Sequence, residues 1–130
     1  MSKEEIITSI SGVCDALIGR DVEKVLSFFT EDATLVWGSF AFEDRQGIKS
    51  WVIGLGEIFP KLNLRTMSLR IQGNKATHVF IIDIILQDDQ RGQLPCTSEY
   101  EFRKGKILHV KFTLSYGYII ENERTDRSGL

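Results

Sequence analysis

Gly19–Trp37, GRDVEKVLSFFTEDATLVW, is the stretch on which the fold turns. Gly19 ends one helix pattern, and Asp21 can cap the next by accepting backbone N–H bonds. Val22, Val25, Leu26 and Phe29 then recur at helical spacing until Thr30-Glu31-Asp32 breaks the period. Ala33 to Trp37 is rich in β-branched and aromatic side chains and reads as a strand. A helix stop, a short amphipathic helix, a sharp turn and a strand thus follow one another in a few turns of chain.

Upstream, Ser2 and Glu5 have capping-box spacing. Ile6, Ile10, Val13 and Leu17 form a stripe with Ile7 and Cys14 beside it, so a first helix covers something along one face. Downstream, Gly38 to Gln46 reads as a loop whose two aromatics, Phe40 and Phe42, fold over the core. A third helix is expected from Gln46 or Gly47, carrying Ile48, Trp51, Val52, Leu55, Ile58 and Phe59 until Pro60 stops it. Gly54 and Gly56 inside it mark either close packing or a loosened helix beside a pocket entrance.

From Leu62 the period becomes two, giving four strands at about 63–72, 75–86, 94–103 and 106–119. A Gly73-Asn74 turn pairs Gln72 with Lys75, Leu69 with His78 and Met67 with Phe80, which gathers the apolar side chains on one face. For the last hairpin, a three-residue loop, Arg103-Lys104-Gly105, keeps the two faces apart, with Gly105 left-handed and a bulge after it. That register sets His109 opposite Glu99 and Lys111 opposite Thr97 on the outer face. Residues 1–120 are expected to form one domain, and the polar run from Glu121 to Leu130 a frayed tail.

With 130 residues, 42% hydrophobic and 26% charged, the chain has ordinary globular composition. Its formal net charge of −2 offers no basic field for nucleic acid. No segment approaches the ~20 apolar residues that span a membrane, and MSKEEIITS holds no signal-like apolar run, so a cytoplasmic protein is expected. Cys14 and Cys96 lack metal-ligand spacing and read as small buried thiols.

Three helices followed by a meander of long strands is an α+β pattern. At this point the chain resembles a known family. GRDVEKVLSFFTEDATLVW is similar to the signature of SnoaL-like and ketosteroid-isomerase-like proteins of the nuclear-transport-factor-2-like superfamily; FEDRQGIKSW resembles their third-helix start and YEFRKGKILHVKF their final hairpin. The resemblance covers roughly residues 3–120. It implies a cone-shaped, curved mixed sheet wrapped around three N-terminal helices, the cystatin-like α+β barrel. It is specific for fold and nearly silent on reaction. The isomerases' base aspartate falls at Trp37, their oxyanion-hole tyrosine at about Val13 and their second oxyanion acid at about Ser98. None of the three groups is present, so steroid isomerisation by that mechanism is not expected.

The family fold implies a pocket between helices and strands, with no cofactor or metal, suited to a small hydrophobic molecule. By register its lining includes Phe80, Ile82, Ile84, Ser98, Tyr100, Val110 and Phe112, with Trp37 and Trp51 at its sides. Tyr100 can donate to a carbonyl or enolate oxygen, with Ser98 a second donor, and His78 can act as general acid or base. The plainer readings are a core tyrosine and a satisfied core histidine. Asp83, between Ile81 and Ile85, would suit a subunit interface, and Asp32 braces the turn before Ala33. The outer face mixes Val79, Ile81 and Ile85 with charges, as a homodimer surface would. Two functions stay open: pocket binding, with cofactor-free isomerase- or cyclase-type proton transfer, or a non-catalytic dimeric binding or interaction module.

Overall fold

The capping box closes at both of its bonds, Ser2 N–H donating to Glu5 Oε1 at 2.9 Å and Glu5 N–H to Ser2 Oγ at 3.1 Å, and starts α1 (Lys3–Ile18). α1 buries Ile6, Ile10, Val13 and Ala16, while Leu17 is half-buried and Ile7 exposed. The reversal after it is made by Arg20, at φ +57°, not by Gly19, whose φ of −77° is helical. α2 (Val22–Ser27) begins as expected, with Asp21 Oδ1 accepting from Lys24 N–H at 3.2 Å. The computed structural model from which these positions come describes residues 1–85, 89–114 and 119–120, the last two by backbone alone.

β1 runs Phe29–Trp37, starting earlier than the Ala33 expected from the helical spacing of Phe29. The early start is irregular: Phe29 pairs with Ile107 and Thr34 with His109, so Thr30–Ala33 bulge away from the ladder. The corner is clamped by other parts of the chain. Ile107 N–H donates to the Phe28 carbonyl at 2.8 Å, Arg45 to that of Phe29 at 2.7 Å, and Lys106 to that of Ser27 at 2.8 Å. Asp32 braces the bulge as expected, accepting from Thr30 Oγ1 at 2.9 Å and from Arg103 at 2.6 Å.

Gly38 to Gln46 is not a loop. Gly38, at φ +62°, and Ser39 turn the chain back into β2 (Phe40–Glu43), which pairs antiparallel with β1. Phe42 packs on the core and Phe40 stays exposed. α3 (Asp44–Ile58) starts two residues before the expected Gln46 and buries Ile48, Trp51 and Val52. The meander follows: β3 (Leu62–Gln72), β4 (Lys75–Ile85), β5 (Arg91–Arg103) and β6 (Lys106–Leu114), with β7 (Ile119–Ile120) pairing on β5. Expectations for Leu86, for positions 115–118 and for the tail 121–130 lie outside the described residues. The strand order is β2-β1-β6-β5-β4-β3, antiparallel except where β1 meets β6 in parallel. The expected cone forms as a curved, unclosed mixed sheet with the helices on its inner face. Among the described residues no helix is long and apolar enough to cross a membrane.

Two registers differ from those read in the sequence. Gln72–Lys75 and Leu69–His78 pair as expected, but Thr66 stands opposite Phe80 and Ser68 opposite Val79. Met67 is therefore a bulge and lies exposed. In the last hairpin Arg103 pairs with Lys106 across a two-residue Lys104-Gly105 turn, with φ +51° and +83°. The mismatch of faces that a two-residue turn creates is absorbed by a bulge: Phe102 pairs with Ile107 and Glu101 with His109, leaving Leu108 extra. The outer pairs become Glu101–His109 and Glu99–Lys111.

Two helical glycines carry opposite packing. A Cβ on Gly12 would meet the Phe28 ring at 2.5 Å, whereas one on Gly54 would meet nothing within 4 Å. Gly54→Ala is expected to stabilise by about 0.5–1 kcal/mol through helix propensity, and Gly12→Ala to lose about 1 kcal/mol or more through overpacking. Urea unfolding of both variants reads the difference; equal gains at the two sites would refute the close approach.

Candidate active site

The sheet's inner face and the helices enclose an apolar cavity of about 20 Å³. Trp37, Trp51, Phe80, Ile82, Tyr100 and Phe112, all expected in the lining, stand around it. Cys14, Leu17, Leu55, Leu62 and Leu64 complete the wall. These five were not singled out as lining, although Cys14 and Leu17 on the α1 stripe and Leu55 on the α3 stripe were the signal for them. Ser98 and Val110 are fully buried but outside the cavity wall, and Ile84 lies toward the far end of β4.

The volume follows from aromatic packing. Trp51 stacks on Phe112 at 5.3 Å, Trp37 packs on both at 5.7 and 5.5 Å, and Phe80 meets Phe112 edge-on at 6.4 Å. A space of this size holds about one water, while an apolar cavity that admits benzene measures roughly 150 Å³. A ligand therefore requires side chains to move. A vestibule of about 150 Å³ adjoins it, and Leu17, Leu55 and Leu62 belong to both walls. Arg20 lies at its mouth with its guanidinium over Gly56, where a Cβ would meet Nε at 3.0 Å. Of Gly54 and Gly56, then, Gly56 is close-packed, against the Arg20 side chain, and Gly54 is not. A larger groove, about 490 Å³, lies at the far end of β3, β4 and β5 among Lys61, Arg65, Asp83 and Arg91. It mixes charged side chains with Leu62, Ile84 and Ile85 and holds the Arg65–Asp83 ion pair, so Asp83 has its partner within the chain.

Tyr100 is the polar side chain in the apolar lining. Burial pushes its pKa well above the usual phenol value, with Cys14 adding to the rise and Ser98 opposing it. Ser98 Oγ eases both Tyr100 and Cys96 downward in pKa, yet it makes a hydrogen bond with neither. Ser98 and Tyr100 are inward-facing neighbours on β5, not bonded partners. Cys14 and Cys96 are pushed up to about 12 by burial, so neither is a ready nucleophile.

His78 is not in the cavity wall. It is 2% exposed, stacks behind Phe80 at 4.8 Å, and shares its Nε2 with Thr66 Oγ1 at 2.8 Å. Its Nδ1 has no hydrogen-bond partner, nor has Ser98 Oγ directly opposite it in the ladder. Thr66 was missed because the bulge at Met67 was missed. The signal was a parity switch, inward Leu62 and Leu64 giving way to inward Leu69 and Ile71. His109 lies on the outer face, bonded through Nδ1 to Thr34 Oγ1. Among the described residues no cluster of three or more His, Cys, Asp or Glu could hold a metal ion.

Burial lowers the His78 pKa below 6.5. The unfolded chain then takes up the proton first, so this histidine's contribution to stability is present above pH 6.5 and lost as pH falls through the folded pKa. Denaturation midpoints should drop as pH falls below about 6.5, and His78→Gln should flatten that part of the profile. A slope unchanged by the substitution would place the titration elsewhere.

The comparisons agree with this geometry. The family model of the SnoaL-like domain matches residues 10–110, and the chain belongs to that family. No curated protein matches it in sequence. Similar solved structures include TerC co-crystallised with polyporic acid, at 16% identity and TM-score 0.77, covering 85% of this chain and 92% of that one. A candidate SnoaL-like polyketide cyclase from Jannaschia sp. CCS1 is 13% identical with TM-score 0.77, covering 88% and 90%. A protein of ketosteroid-isomerase-like fold from Catenulispora acidiphila DSM 44928, in complex with trimethylamine, is 14% identical with TM-score 0.76, covering 83% and 85%. At such identities the likeness is one of fold.

Proposed function

We propose that this SnoaL-like protein binds a small, mostly apolar molecule between its helices and its sheet, with Tyr100 donating the orienting hydrogen bond. The observation that carries the reading is the vestibule, which shares Leu17, Leu55 and Leu62 with the cavity and so leads to Tyr100 once those leucines shift. The lining is aromatic and aliphatic with one hydroxyl, the usual balance of a small-molecule site. Support also comes from fold relatives that were crystallised with polyporic acid and with trimethylamine. Where the bound molecule is a carbonyl compound, the Tyr100 hydroxyl stabilises a developing enolate oxygen, and the chemistry is cofactor-free isomerase- or cyclase-type proton transfer. We place the protein in the cytoplasm.

A thermal-shift screen with small aromatic and terpenoid-like compounds tests the pocket: a hit raises the midpoint, and Tyr100→Phe weakens binding of carbonyl-bearing hits about three- to tenfold, the worth of one hydrogen bond. In the catalytic case the same substitution lowers turnover more than about tenfold. No hit across the screen would overturn the pocket reading.

A second reading is favoured by the small cavity and by the outer face of the sheet, where Val79, Ile81, Ile85 and Pro95 remain half-exposed beside the Arg65–Asp83 pair. It makes the protein a non-catalytic dimeric module joined sheet to sheet. Size-exclusion chromatography with light scattering should give twice the chain mass, and Ile81→Glu should return the monomer. A native chain that is monomeric at high concentration would sink this reading.

A further inference from the structure

Buried polar atoms without partners are rare, and here two of them belong to residues paired across one ladder, though neither bonds the other. His78 Nδ1 and Ser98 Oγ belong to directly paired residues of β4 and β5, on the inner face, at 2% and 0% exposure. The other imidazole nitrogen bonds to Thr66, which is exposed on the edge strand β3. Ser98 also neighbours Tyr100, which faces the cavity. Polar side chains therefore run in sequence from solvent, through the core, to the hydroxyl of the proposed ligand site.

We infer that Thr66, His78 and Ser98 form a proton track that links solvent at the β3 edge to the Tyr100 hydroxyl. It rests on the reading that Tyr100 meets a ligand. Burial makes a Tyr100 phenolate costly, so a proton given to a ligand oxygen has to be replaced. Thr66 takes a proton from water and gives its own to Nε2. His78 gives the Nδ1 proton to Ser98 Oγ, and Ser98 gives its own to the Tyr100 oxygen. Each hydroxyl gains one O–H bond and loses one, and the imidazole ends in its other tautomer. Reverse passage, when the product returns a proton to Tyr100, restores the first. Ser98 Oγ bonds neither neighbour at rest, so each transfer requires its rotation between staggered wells toward His78 or toward Tyr100. The titratable groups beside the track are Tyr100 and Cys96 on β5 and Cys14 on α1, all neutral at pH 7. His78, its pKa lowered by burial, rests neutral as well. Thr66, His78 and Ser98 are positioning residues; Tyr100 alone would touch the ligand.

The test is nitrogen NMR on the full chain labelled with ¹⁵N-histidine. The sequence has 2 histidines, so His109→Gln leaves His78 as the only signal. In that background Thr66→Val should slow exchange of the His78 ring N–H with water about tenfold, and Thr66→Ser should restore it. Ser98→Ala should shift the Nδ1 resonance and leave Nε2 in place. Circular dichroism checks the fold of each variant, with Thr66→Ala replacing Thr66→Val if the latter does not fold. Unchanged exchange without the Thr66 hydroxyl, or an Nδ1 resonance indifferent to Ser98, overturns the track. None of these readouts needs a ligand, so an empty compound screen defeats the pocket reading without touching this result.

Discussion

The parallel pairing of β1 with β6 is the constraint on which the rest of the structure depends. Leu35 and Val110 pair at its centre, both completely buried, and Thr34 bonds His109 across 75 positions of sequence. β1 is tied to α2 on one side and, through β2, to α3 on the other, so this one ladder fastens the helices to the meander. It also sets Trp37 beside Phe112, which creates the aromatic wall of the cavity. Contacts this distant in sequence form at a high loop-closure cost. The clamps on the Ser27–Phe29 corner, from Lys106, Ile107 and Arg45, reduce the freedom of β1 where the ladder begins.

Helices and inward-facing strand positions were legible because burial has a period, and a period survives in the sequence. Ile6, Ile10 and Val13 declared one face of α1, and Cys96, Ser98, Tyr100 and Phe102 one face of β5. Bulges were not legible, because each needs only one extra residue and no particular side chain. Met67, apolar and read into the inner face, and Leu108, also apolar, are each the extra residue in a ladder. β2 was hidden for another reason: Phe40-Ala41-Phe42-Glu43 is too short to show alternation, and its strand character comes from pairing with β1. Four cavity residues, Phe80, Ile82, Tyr100 and Phe112, followed from register, with Trp37 and Trp51 expected at its sides from the family fold. Thr66 did not, since its position depends on the bulge beside it.

The same aromatic wall explains what the site lacks. Trp37, at which the resemblance puts the base of the ketosteroid isomerases, has its ring packed against Trp51 and Phe112. An indole there adds apolar contact and cannot accept a proton, and three large rings leave about 20 Å³ beside Tyr100. Access to that space depends on how readily Leu17, Leu55 and Leu62 give way, at the ends of α1 and α3 and the start of β3. Gly54, with open space around it, loosens that end of α3.

A core this apolar makes its polar members informative. An unpaired buried donor or acceptor costs roughly 1–3 kcal/mol, and an alanine or valine at position 98 would remove that cost while keeping the strand. The chain instead places a serine opposite a histidine, both buried, beside the tyrosine that faces the cavity. Packing gives no reason for the Ser98 hydroxyl, nor for the free Nδ1 of a histidine that otherwise stacks on Phe80 and bonds Thr66. Placed between Thr66 at the open edge and Tyr100 at the cavity, they have one: they give a deep hydroxyl a polar connection to water that the aromatic wall otherwise closes.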